Sequence, residues 1–113
     1  MEVRAVTKYL PISAQKLRLV VDKVRGLGAD EAVLALKFMP HKGAGMVEKT
    51  LSSAIANAEE NFELNHEDLY VSEIYADEGP TRKWRKFGAR GRFKPWLRRS
   101  AHVTVILKER EEY

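Results

Sequence analysis

The chain contains no cysteine. That excludes disulfides, thiolate metal sites and a cysteine nucleophile, and it suits a reducing compartment. No apolar run approaches the ~18 residues of a membrane span, so no membrane partner is expected. The opening MEVRAVTKYL lacks a signal-peptide core and carries Glu2. His41, His66 and His102 are scattered, with no zinc-site spacing. Glu59 and Glu60 are adjacent and point to different helix faces, so they make no acid–base pair. There is no phosphate loop of nucleotide-binding type, no nucleophile elbow and no triad. These absences argue against an enzyme and call for no metal, cofactor or small-molecule substrate. Internal repeats and low-complexity tracts are also missing.

The most telling absence is local. Residues 79–100, GPTRKWRKFGARGRFKPWLRRS, contain no acidic side chain. They hold nine of the twenty basic residues: Arg82, Lys83, Arg85, Lys86, Arg90, Arg92, Lys94, Arg98 and Arg99. Trp84, Phe87, Phe93 and Trp96 are interleaved with them. A packed core cannot hold so many unpaired cations, because each costs several kcal/mol or more to bury. A disordered tail would not usually carry four large aromatics. A basic, aromatic segment anchored at both ends requires a polyanion, and RNA fits best. Arginine pairs with phosphate in a bidentate way, and Trp84 and Trp96 can stack on unpaired bases.

Charge is segregated elsewhere too. Residues 1–27 have six basic and two acidic side chains, whereas residues 28–78 have three basic and eleven acidic. One part should bind a polyanion and another should turn away from it. Arg4, Lys8, Lys16, Arg18 and Arg25 read as an extension of the RNA footprint.

Alternation of Val3, Ala5, Thr7 and Tyr9 predicts a strand over 1–10, closed by Pro11. Ser13 is placed to cap a helix with Leu17, Val20, Val21 and Val24 on one face, ended by Gly26 and Gly28. Asp30 is expected to cap a second short helix, which Pro40 stops. A third helix is expected from about Lys42 to Phe62. Its periodic face is Ala44, Val47, Leu51, Ala54, Ile55, Ala58 and Phe62, and small residues (Ser52, Ser53, Ala54, Ala56, Ala58) in its middle would allow close packing. Leu69–Ala76 and Ala101–Leu107 read as strands flanking the basic segment. The simplest join is a long antiparallel hairpin with its tip at Gly88-Ala89-Arg90-Gly91. Pro95 cannot donate a ladder hydrogen bond and should lie at an edge or a break in pairing. One domain over 1–113 is expected, with a compact body (1–78 and 101–113) and a basic arm (79–100) that is mobile until bound.

Five segments together carry a resemblance: ISAQKLRLVVDKVRG (12–26), TLSSAIANAEEN (50–61), LYVSEIYADEGP (69–80), ARGR (89–92) and RRSAHVTVIL (98–107). In order and spacing they resemble the bacterial large-ribosomal-subunit protein family L-twenty-two. The resemblance implies an α+β fold in which three helices pack on a small three-stranded antiparallel sheet with a long protruding β-hairpin. It implies a structural constituent of the large subunit in the cytoplasm, with an organellar ribosome as the alternative. The partners it implies are several domains of ribosomal RNA, neighbouring ribosomal proteins and the nascent polypeptide. It further implies support of early assembly and a hairpin tip in the wall of the exit tunnel. By position, Gly88, Ala89, Arg90, Gly91 and Arg92 occupy the tip. Lys83, Arg98 and Arg99 occupy the limbs, and Lys16, Arg18 and Arg25 match the basic positions of the first helix. The arm departs from the family pattern in its aromatics, in Pro95 and in Gly88. The alternative reading of the residues is a free-standing RNA-binding module or RNA chaperone.

Overall fold

The computed structural model describes residues 2–87 and 93–110, and of residues 82–87 and 93–98 the backbone alone. The elements run β1 (Glu2–Leu10), α1 (Ala14–Val24), α2 (Ala29–Lys37), α3 (Lys42–Phe62), a single 3-10 turn (His66–Asp68), β2 (Leu69–Glu78), β3 (Arg82–Phe87), β4 (Phe93–Arg98) and β5 (Ala101–Glu109). β1, β5 and β2 form an antiparallel sheet in that order, and β3 and β4 form a separate antiparallel ribbon. The fold class is therefore α+β, with three helices and a three-stranded sheet.

Ser13 caps α1 as its sequence position suggests, its Oγ accepting from the Lys16 N–H at 3.4 Å. Ala14, Leu17, Val20, Val21 and Val24 are all buried, one face of α1 laid on the sheet. α3 buries Gly43, Ala44, Val47, Thr50, Leu51, Ala54 and Ala58. The small residues divide by face, for Ser52, Ser53 and Ala56 are exposed. Phe62 is exposed too, because Glu63 turns left-handed (φ 54°) and the chain folds back, the Leu64 N–H bonding to the Ala58 carbonyl at 3.1 Å. Inside the core, Thr7 and Thr50 join hydroxyls at 2.7 Å, and Thr50 also donates to the Met46 carbonyl, so buried Thr50 is satisfied.

Gly28, not Asp30, occupies the N-cap of α2. The reason is tertiary. The Gly26 N–H donates to the Val71 carbonyl, the Val71 N–H donates to the Leu27 carbonyl, and Gly28 bridges Tyr70. These bonds fix where the chain leaves β2 and hence where α2 begins. Asp30 falls in the first turn, where its charge complements the helix dipole, and it holds His66 Nδ1 at 2.9 Å.

That hydrogen bond, and then the charge of Asp30, raise the His66 pKa above its usual value. A raised histidine stabilises the fold below its unfolded pKa of ~6.5, and the stabilisation is lost as pH rises through the folded value. Melting temperature compared across pH should therefore show a contribution at acidic pH that Asp30→Asn removes. Equal pH dependence in both proteins would contradict the pairing.

Ala101, Val103, Val105 and Leu107 of central β5 join the core that α1 and α3 cover. β5 has neighbours on both sides, and Thr104 and Ile106 on its other face are also buried. The radius of gyration is 17.2 Å, against about 13 Å for a compact chain of this length, and the longest extent is 68 Å. The molecule is elongated.

Candidate nucleic-acid interface

β2 and β5 pair from Leu69↔Glu109 to Glu78↔Ala101, and the arm pairs from Arg82↔Arg98 to Phe87↔Phe93. Only Gly79-Pro80-Thr81 and Arg99-Ser100 intervene, so the arm leaves directly from the sheet. Six residues per limb at ~3.3 Å each give about 20 Å of paired ribbon. The expected tip residues Gly88, Ala89, Arg90 and Gly91, and with them Arg92, lie outside the described residues.

The ribbon's register carries an electrostatic argument. Arg82 is opposite Arg98, and Lys86 is opposite Lys94. Like charges directly opposite destabilise a strand pair. Trp84 is opposite Trp96 between them, so cation pairs and the aromatic pair alternate along one set of register positions. Lys83 faces Leu97, and Arg85 faces Pro95. Both strands of a two-stranded ribbon are edges, which accommodates Pro95. No acid lies within the ribbon to relieve the repulsion, so an external polyanion would strengthen its pairing.

The root is built tightly. The Gly79 N–H donates to the Ser100 carbonyl at 2.9 Å, and Ser100 Oγ donates to the Pro80 carbonyl at 2.7 Å. A Cβ on Gly79 would stand 2.5 Å from Ser100 Oγ and 3.0 Å from His102 Cε1. Gly79→Ala must therefore disturb the root, with each hydrogen bond worth about 0.5–1.5 kcal/mol. Denaturant unfolding should show a loss of about 1–2 kcal/mol; wild-type stability would contradict this packing.

The basic residues of the body fall into two groups. Arg4, Lys8 and Lys16 are exposed, as is Arg99 at the root. Arg18 and Arg25 are exposed as well but have hydrogen-bond partners within the chain. Arg18 Nε donates to the Ala76 carbonyl at 3.2 Å, and Arg25 Nη2 donates to the Ile74 carbonyl at 2.8 Å. Arg25 Nη1 also meets Asp22 at 2.8 Å. β2 is an edge strand, and these arginines cap its outward carbonyls, which blunts the edge against foreign strands. A guanidinium has five N–H donors, so each retains some for another acceptor. Local sequence could not reveal this role, since the carbonyls lie far along the chain.

Among the described residues, no helix is long and apolar enough to cross a membrane. No group of three or more metal-ligating side chains occurs among them either. The fold is thus a charge-segregated α+β body that carries a cation-rich β-ribbon. The chain matches the family described as ribosomal protein L22p/L17e over residues 5–108. It is similar to the large ribosomal subunit protein uL22 of Finegoldia magna, 49% identical over 98% of this chain and 99% of that protein. It is also similar to the uL22 of Chloroflexus aggregans, 46% identical over the full length of both, and to that of Clostridium kluyveri, 48% identical over 98% of this chain and all of that protein. The chain belongs to the ribosomal protein L22p/L17e family, whose members are structural proteins and not enzymes.

Proposed function

We propose that this protein is a single-domain structural constituent of the large ribosomal subunit, holding large-subunit ribosomal RNA through its arm and the exposed cations of its body. The observation that carries this reading is the β3–β4 ribbon, whose like-charge pairs call for phosphate between them. Arg82, Lys83, Arg85, Lys86, Lys94, Arg98 and Arg99 neutralise phosphates. Trp84 and Trp96 stack on unpaired bases. Arg4, Lys8 and Lys16 extend the footprint over the body, and Arg18 and Arg25 join it through their unused donors. By its family, the tip at Gly88–Gly91, with Arg90, reaches the exit-tunnel wall and meets the nascent chain. The arm's capture by RNA supports early assembly, with neighbouring subunit proteins as further partners. The ribosome of the cytoplasm, or of an organelle, is its place of work.

Sedimentation tests this. The protein should travel with large subunits through a sucrose gradient at high salt, and Arg98→Ala with Arg99→Ala should reduce its incorporation. Release of the wild-type protein to the top of the gradient would favour a free RNA-binding module instead.

A further inference from the structure

A regular β1 would carry Tyr9 on the side of Val3, Ala5 and Thr7, towards α3. The register instead slips between Thr7 and Leu10. Tyr9 takes φ 60°, a left-handed conformation that costs a bulky L-residue energy. The outcome is a residue left 66% exposed. Its surroundings hold it there. The Tyr9 N–H donates to His102 Nδ1 at 3.0 Å, and the two rings make a T-shaped contact with centroids 5.0 Å apart. Leu10 then rejoins the ladder opposite Ala101. Strain persists where structure over-determines it, and it concentrates at functional positions. Burial is not the benefit here, because the bulge turns the ring outward.

The location suggests what the benefit is. Lys8 precedes Tyr9 and is exposed. Ala101, opposite Leu10, follows exposed Arg99 by two residues where the arm leaves the sheet. A T-shaped contact occupies at most one face of the Tyr9 ring. An open aromatic face thus stands at the arm's root beside cations.

We propose that Tyr9 is a nucleobase-stacking residue, receiving an unpaired base of large-subunit RNA on its open face while Lys8 and Arg99 meet the adjoining phosphates. Aromatic stacking tolerates any base, and sequence-exposed RNA recognition uses unstacked bases. His102 is a positioning residue that acts through the Tyr9 backbone and ring. The proposal rests on the RNA-binding reading above and adds a contact outside the arm.

The test measures equilibrium binding of the full-length protein to a large-subunit ribosomal RNA transcript, beside thermal unfolding. Tyr9→Gly removes the ring and relieves the positive φ. Its melting temperature should stay close to wild type, because the relieved strain offsets the lost ring contact and the entropy of glycine, yet it should bind roughly 5- to 150-fold more weakly, the worth of one base stack. Tyr9→Phe keeps the ring and should bind within about twofold of wild type. The Arg98→Ala, Arg99→Ala pair serves as the control. If that pair weakens binding while Tyr9→Gly does not, the stack is overturned and the RNA reading stands. If Tyr9→Gly loses stability and binding together, Tyr9 holds the fold and the proposal fails. Wild-type protein that does not bind the transcript overturns both readings.

Discussion

Deleting residues 82–99 should abolish most of the protein's affinity for large-subunit RNA and flatten its salt dependence. The deletion removes nine cations. If each meets one phosphate, the log–log salt slope should fall by about 6 to 8, at ~0.7–0.9 per contact. Wild-type affinity should drop by roughly 10³- to 10⁵-fold between 50 and 200 mM salt, and the deleted protein should respond much less, through the cations of the body alone. The body should stay folded, because among the described residues the buried core is built from the body's helices and three-stranded sheet. Filter binding across a salt series, with circular dichroism as the folding control, measures both effects. An unchanged slope would mean that the arm is not the main electrostatic contact.

The second large effect is on stability. Leu51 is fully buried on α3, within the core shared with α1 and the sheet. Leu51→Ala should cost about 2–5 kcal/mol from lost transfer energy and the cavity left behind. Domains of this size have only ~5–15 kcal/mol in total, so the variant should lose a large share of its stability. Leu34→Ala on α2 makes the contrast, since Leu34 is 58% exposed and its loss should stay within about 0.5 kcal/mol. Denaturant midpoints for the pair check the assignment. Equal midpoints would contradict the packing of α3.

What the sequence disclosed followed the range of the interactions. α1 and α3 were legible because an apolar face repeats every three or four residues and Ser13 supplies a local cap. β2 and β5 were legible from β-branched alternation, and the hairpin followed from two such runs around a cation-rich segment. The features that were missed are long-range. The start of α2 is set by bonds to β2 and not by Asp30. The edge-capping of Arg18 and Arg25 depends on carbonyls 58 and 49 residues away. The bulge at Tyr9 depends on His102, 93 residues on, so alternation grouped Tyr9 with Val3, Ala5 and Thr7 although the register slips before it. Of the candidate interface, the cation-rich arm was plain from the sequence. The charge-opposed register, the tight root and the hydrogen bonds that engage Arg18 and Arg25 required the fold.

The account's central claim is that the arm lies in ribosomal RNA. A density map of the intact large subunit containing this protein tests it most directly. The predicted result is the β3–β4 ribbon extended from the sheet with RNA phosphates against both limbs. An arm folded onto the protein body, or lying in solvent away from RNA, would contradict it.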